Sequence, residues 1–414
     1  MMDYRRITAG LLALTAMTTA AFSCSSKKTS RTVSEVTTAD NTVTAEATTG
    51  DGTFSSGDMT INWLSYYDLN PEGNAERSVA LALYEDKCGG AVNYIQTSRK
   101  MLLPKLEAMI AAGEEVDMFP YELSTFPQNV SKGLSAPLDP YFEQLSMDNK
   151  ELWSDLQGVI DSYAYNGEHY IVPYEAVSPV LLTYSRKLVK DEDLSDPYEL
   201  YKEGKWDWDA FTGMMDSFVE NAPGGAKRYG ICGSYEQALI QSAGNTAVSY
   251  DGKGAKDTAN AEKLINDITE KGLSRTDYWL DCFPTDLNTL FFAAEDWTLG
   301  KSNARNEEAD LMTVPFPKAP GAQNYTTICD FHANMLAANS EKGGAVATYI
   351  LCERYAATEK KYKEAAKQIA TAAETAASGT KISFVTEEQY DAIQGYLSDK
   401  NNTLMPDIAY KTAY

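Results

Sequence analysis

Hydrophobic and polar positions recur along this chain with two periods, and the order of those periods predicts the fold. Met59-Thr60-Ile61-Asn62-Trp63-Leu64 alternates as a strand does. Residues 74–87 follow with helical spacing, Val79, Leu83 and Tyr84 sharing a face. Val92–Gln96 reads as a second strand. Leu102, Leu106, Met109 and Ile110 form a helical stripe that stops at Gly113, a natural left-handed terminator. Val116–Phe119 is a short third strand. Strand, helix, strand, helix, strand is the pattern of a parallel α/β sheet, in which ligands gather beyond the carboxyl ends of the strands. The loops after Trp63 and after Phe119 are therefore the first places to seek a site.

The pattern continues with less regularity. Tyr170–Leu188 is rich in β-branched and aromatic residues but holds Pro173 and Pro179, which disfavour a central strand and fit an extended crossing between lobes. Helices are expected at Trp208–Phe218, Ala261–Ile268, Ala345–Tyr355 and Tyr362–Ala373. Leu311–Phe316 and Thr326–Leu336 read as extended.

Ahead of this region the pattern is of another kind. Arg5 and Arg6 precede an apolar run from Ile7 to Phe22, then Cys24. That layout predicts a cleaved export signal over residues 1–23. It is short, and diluted by threonine, for a membrane-spanning helix. A cysteine just after the cleavage point resembles the bacterial lipoprotein pattern, with Ala21 where Leu is usual. Residues 24–57 then read as a lipidated Cys24 followed by a Ser/Thr-rich tether with too little apolar surface to fold. As a flexible coil the tether spans roughly 30 Å.

Composition narrows the partners. The net charge is −23, and removing residues 1–23, which carry +1, leaves −24. No basic stripe is present, so nucleic acid is not an expected partner. Beyond Cys24 there are five scattered cysteines, an odd number and no disulfide framework. His169 and His332 are the only histidines; Cys329 and His332 are three apart with no second ligand pair, so no metal or other cofactor is expected. No phosphate-binding loop, nucleophile elbow or zinc-protease motif occurs.

Five phrases, in order, resemble the extracellular solute-binding proteins of bacterial ABC importers, the sugar-binding family that includes maltose-binding protein. They are Ala111–Asp117 (AAGEEVD), Leu134–Tyr141 (LSAPLDPY), Tyr165–Tyr184 (YNGEHYIVPYEAVSPVLLTY), Gly204–Phe211 (GKWDWDAF) and Val314–Pro320 (VPFPKAP). Two departures stand out. Phe291–Trp297 replaces a Gly-rich, Met-containing phrase, and the chain stops at Tyr414, where the family usually continues for tens of residues. Either the last helices are absent or the sequence is a fragment. The resemblance implies two α/β lobes joined by a hinge, closing on a ligand in the cleft. It places the amino-terminal lobe at 58–172 plus about 328–375, and the carboxyl-terminal lobe at 173–327 plus about 376–414. It implies a non-enzymatic, monomeric receptor that takes a sugar or oligosaccharide from outside the cell to an ABC permease. Such a protein would sit on the outer face of the cell membrane, or on its periplasmic side if the cell has an outer membrane. Two other readings stay open: a sensor for a membrane kinase, and a surface glycoside hydrolase.

Sugar rings need flat aromatic faces and a few placed polar groups, and the chain has 26 tyrosines and 6 tryptophans. The candidates at strand ends are Trp63, Tyr66 and Tyr67, then Tyr121 and Glu122. Trp63 shares its strand face with Ile61, which leaves pocket and core both open. Tyr174 and Glu175 lie in the lobe crossing, Trp279 and Trp297 in the second lobe, and Asp330 near the return crossing. Trp206 and Trp208 read as packing residues.

Overall fold

The computed structural model describes residues 58–70, 77–244, 258–275, 287–305, 307–371, 374–375, 381–382, 385–399 and 401–406. Its strands are β1 (Thr60–Ser65), β2 (Ala91–Gln96), β3 (Met118–Pro120), β4 (Ser135–Ala136), β5 (Glu175–Ser185), β6 (Tyr229–Gly233), β7 (Ser274–Arg275), β8 (Thr289–Glu295), β9 (Leu311–Val314), β10 (Tyr325–His332), β11 (Asn334–Ala337), the short pair β12 (Glu374–Thr375) and β13 (Lys381–Ile382), and β14 (Asn402–Pro406). The helices that matter below are α1 (Val79–Cys88), α2 (Leu102–Ala112), α3 (Trp208–Glu220), α4 (Trp297–Arg305), α5 (Gly343–Thr358) and α6 (Glu387–Ser398).

Two main sheets form. The first has the order β2-β1-β3-β11-β4, with β1 parallel to both β2 and β3 and β11 returning antiparallel. The second has the order β14-β10-β5-β8-β6-β7, with β9 also pairing β5. The architecture is that of two α/β lobes joined by a hinge, with the ligand cleft between them. Strands β5 and β10 carry the chain across, pairing antiparallel from Glu175 opposite His332.

The β-α-β-α-β start is present as the periodicity predicts, but α1 turns a different face inward. Ala80, Leu81 and Tyr84 are buried, whereas Val79 is among the exposed large apolar residues. Helix α2 buries Leu102, Leu106 and Met109 and ends at Gly113, whose φ of 73° suits glycine. The AAGEEVD phrase earns its place structurally. Asp117 Oδ2 accepts from Asn62 N at 2.8 Å and Oδ1 from Ser340 Oγ at 2.6 Å, so one buried carboxylate joins β1, the start of β3 and the returning chain.

The prolines of the crossing act differently from the expectation. Pro179 lies within an 11-residue strand, and from Val180 onward β5 is a central strand of the second sheet. The proline is tolerated because the register with β10 shifts there: Val180 faces Ile328, but Val177 faces Asp330, and Ser178 has φ 50°. A bulge is where a strand can hold a residue with no N–H.

In GKWDWDAF, Asp207 caps α3 by accepting from Ala210 N at 2.9 Å. Trp206 is fully buried, packs on Phe211 and Phe291, and donates from Nε1 to Pro315 O at 2.8 Å. Both tryptophans of the phrase are buried. Cys88 and Cys352 are free thiols, and Cys232 is disulfide-bonded.

Candidate functional site

Three adjacent parallel strands, β2, β1 and β3, deliver one polar or aromatic residue each just past their carboxyl ends. Tyr66 follows β1, Arg99 follows β2, and Glu122 follows β3. Tyr66 OH donates to Glu122 Oε1 at 2.5 Å. Arg99 donates from Nε and Nη2 to Glu122 Oε2 at 2.9 and 2.6 Å. The guanidinium also lies 5.6 Å from the centroid of the Tyr66 ring. Glu122 is 6% exposed while the Arg99 side chain is 59% exposed, so a buried acid orients a solvent-facing cation and a phenol. Burial first, and then the Glu122 charge, hold the Tyr66 phenol well above its ordinary pKa, so it remains a donor. Arg99 was not among the sequence candidates. The strand-end rule that selected Tyr66 and Glu122 applies equally to it.

Trp63 is a correction. It has no exposed surface, and its Nε1 donates to Tyr67 O at 3.1 Å. It is a core residue that fixes the backbone carrying Tyr66 and Tyr67, and has nothing to offer a ligand directly. Tyr67 is partly buried, edge-on to both Trp63 and Tyr66 at 5.5 and 5.2 Å. Tyr121 is partly buried in a different group, meeting Tyr163 and Phe126 edge-on, with its hydroxyl 3.1 Å from that of Tyr163. Its N–H donates to Ala333 O at 3.0 Å, which stitches the end of β3 to the return crossing.

The hinge supplies a second group. Tyr174 N donates to His332 O at 2.9 Å, and Glu175 Oε2 lies 3.0 Å from His332 Nδ1. Tyr174 is 8% exposed, whereas the Glu175 side chain is 42% exposed. Burial and then the charge of Glu353 on α5 push the Tyr174 phenol far up, with Tyr67, Glu175 and Tyr66 adding in the same direction. Those four groups therefore lie within electrostatic reach of Tyr174, which links the strand-end patch to the hinge. Burial drives the Glu353 carboxyl up to about 7. The His332 imidazole is raised because the Glu175 hydrogen bond and charge outweigh its burial. Arg354, one residue on, is 3% exposed and anchors the crossing: it donates to Tyr174 O at 3.0 Å and to Leu152 O, and pairs with Asp155.

In the second lobe the polar groups gather at the end of β8. Trp297 opens α4 and donates from Nε1 to Glu295 Oε2 at 2.6 Å. Asp296 N donates to Pro179 O at 3.0 Å, which fixes this corner to the bulge of β5. Burial, with Glu295 next to it, pushes the Asp296 carboxyl up to about 7. Asp330 is partly buried at the register shift, opposite Val177. Trp279 lies outside the described residues. Among the described residues no cluster of three His, Cys, Asp or Glu side chains could hold a metal ion, and no helix is long and apolar enough to cross a membrane.

A hinged pair of α/β lobes with aromatic and charged groups at strand ends on both sides is the architecture of a solute receptor. The sequence profile of the bacterial extracellular solute-binding proteins matches residues 68–295, and the chain belongs to that family. No curated protein matches it by sequence. Solved structures share its fold at low identity. A sugar transporter from Rhizobium etli in an open conformation is 14% identical, with a TM-score of 0.59 over 86% of this chain and 91% of that one. The cyclic α-maltosyl-1,6-maltose binding protein of Arthrobacter globiformis is 14% identical, with a TM-score of 0.57 over 86% and 90%. The sugar-binding protein MalE of Xanthomonas citri is 16% identical, with a TM-score of 0.56 over 86% and 88%.

Proposed function

We propose that this chain is the substrate-binding lipoprotein of an ABC importer and that its solute is a sugar or oligosaccharide. The observation that carries the ligand class is the Tyr66–Glu122–Arg99 group. It offers an aromatic face beside a carboxylate and a forked cation, the combination that grips the apolar face and polar rim of a pyranose. Tyr67, Tyr174 and Glu175 are assigned to the same wall, and Asp330 on the return crossing and Trp297 in the second lobe complete the ligand-binding set. Tyr121 supports the wall through its backbone bond to Ala333. The names of the structural relatives, a sugar transporter and two sugar-binding proteins, agree with this choice.

The amino-terminal lobe takes residues 58–172 and about 328–375, and the carboxyl-terminal lobe residues 173–327 and about 376–414. Residues 1–23 direct export, and a lipid on Cys24 with the tether behind it keeps the receptor beside its permease, raising its effective concentration there. The receptor works by capture and release, without turnover and as a monomer. A glycan panel read by thermal shift and calorimetry tests the ligand class. At least one oligosaccharide is expected to raise the melting midpoint, because it binds only the folded state. A broad panel with neither shift nor binding heat overturns the carbohydrate reading. Mass analysis of the mature amino terminus tests the lipid on Cys24.

A further inference from the structure

Helices α1 and α5 meet along two successive rungs. On the first, Tyr84 and Tyr349 stand edge to face, with ring centroids 5.3 Å apart and planes at 84°. One turn further on, Cys88 Sγ faces Cys352 Sγ at 4.0 Å. The rungs are four residues apart on α1 and three on α5, so both pairs use the same helix faces. The geometry around the first rung is fixed independently. Tyr84 OH donates to Met59 O at 2.6 Å, and its ring lies so close over Gly90 that a Cβ there would stand 2.2 Å from the ring. Gly89, with φ 68°, turns the chain directly after Cys88.

We propose that Cys88 and Cys352 close a disulfide that staples α1 to α5. The sulfurs must approach by about 2 Å, a shift within the reach of side-chain rotation between helices already in contact. The half-buried Cys88 is the entry point. Its thiolate attacks the disulfide of an external oxidant, a protein or glutathione disulfide, releasing one thiol and leaving a mixed disulfide. The thiolate of the buried Cys352 then attacks Cys88 Sγ and expels the second thiol. Two protein thiols thus lose two protons and two electrons, and the oxidant's disulfide becomes two thiols. The hydrogen bond from Cys352 lowers the Cys88 pKa, which suits it to the first attack. Cys232 is already disulfide-bonded, so the same chain holds oxidised sulfur elsewhere. The staple joins residue 88 on the outgoing chain to residue 352 on the returning one. It locks the first lobe as a body while leaving the hinge strands free.

Peptide mapping of the full chain tests this. The protein is incubated with oxidised glutathione, denatured, alkylated with iodoacetamide and digested. The expected result is a peptide bearing Cys88 joined to one bearing Cys352. Alkylated Cys88 and Cys352 overturn the proposal. Under the same non-reducing conditions Cys88→Ser is expected to lower the melting midpoint by roughly 5 °C. Cys352→Ser should lower it at least as far. Because Cys88 is only partly buried, its substitution removes the link with less packing cost than that of Cys352, and a midpoint equal to that of the wild type overturns the stapling role.

Discussion

Tyr66 donates its phenolic hydrogen bond to Glu122 at 2.5 Å, joining two positions 56 residues apart at the ends of adjacent parallel strands. Neither residue is near the other in sequence. The sheet order, with β1 between β2 and β3, brings them together and sets Arg99 beside them. The carboxylate is the keystone, since it accepts from both partners.

Replacing that keystone is expected to weaken ligand binding more than the fold. Glu122→Gln keeps the shape but loses a charge-assisted pair, an interaction of about 1.5–3 kcal/mol. Solute affinity should fall roughly 10- to 100-fold by that measure. Titration calorimetry with the best glycan checks the fall. Unchanged affinity would remove the group from the pocket.

Two tryptophans should separate stability from binding. Trp63→Ala opens the core and should cost about 3–5 kcal/mol in denaturant unfolding. Trp297 is only partly buried at a helix start, so Trp297→Ala should cost far less stability. It should still weaken solute binding by about 0.5–1.5 kcal/mol through lost stacking. Chemical denaturation and calorimetry on both variants give the comparison.

Trp63 also shows why part of the site was illegible in sequence. Strand alternation assigns it to the face shared with Ile61, and that reading is sound. Alternation does not tell which face is covered, and in this strand Ile61, Trp63, Leu64 and Ser65 are all buried. The strands and helices themselves were readable because each repeats its period over several residues. Arg99 was missed because charged loop residues are common, although it stands where the strand-end rule points. Pro179 was read by a local rule that holds for regular ladders, and the bulge that admits it depends on the partner strand. The sulfur pair of Cys88 and Cys352 is 264 residues apart, and no spacing rule could join it.

The raised acids predict a pH dependence of stability. Asp296 and Glu353 titrate near 7 in the folded protein and near their ordinary values when unfolded. The folded state therefore holds more protons between about pH 4 and 7, and stability declines as pH rises through that window. His332, also raised, acts in the same direction at higher pH: its contribution is present below about 6.5 and is lost as pH rises through its folded value. The melting midpoint should thus fall from pH 5 to pH 8. Asp296→Asn should flatten part of that slope, and an unaltered slope would exclude Asp296 as a source.

Arg354 should be the costliest single charge to remove. Arg354→Met strands Asp155 and leaves the carbonyls of Tyr174 and Leu152 without their donor. A loss of about 3–5 kcal/mol is expected. Equilibrium unfolding in urea measures it.

At the bulge, Pro179 has no N–H to give, and its carbonyl is taken by Asp296 on the side away from β10. Neither backbone group of that residue is therefore tied to the other crossing strand. The ladder between the two crossing strands is thus interrupted at the bulge and resumes on either side, with Val180 opposite Ile328 and Val177 opposite Asp330, while the corner bearing Trp297 is fastened to β5 alone.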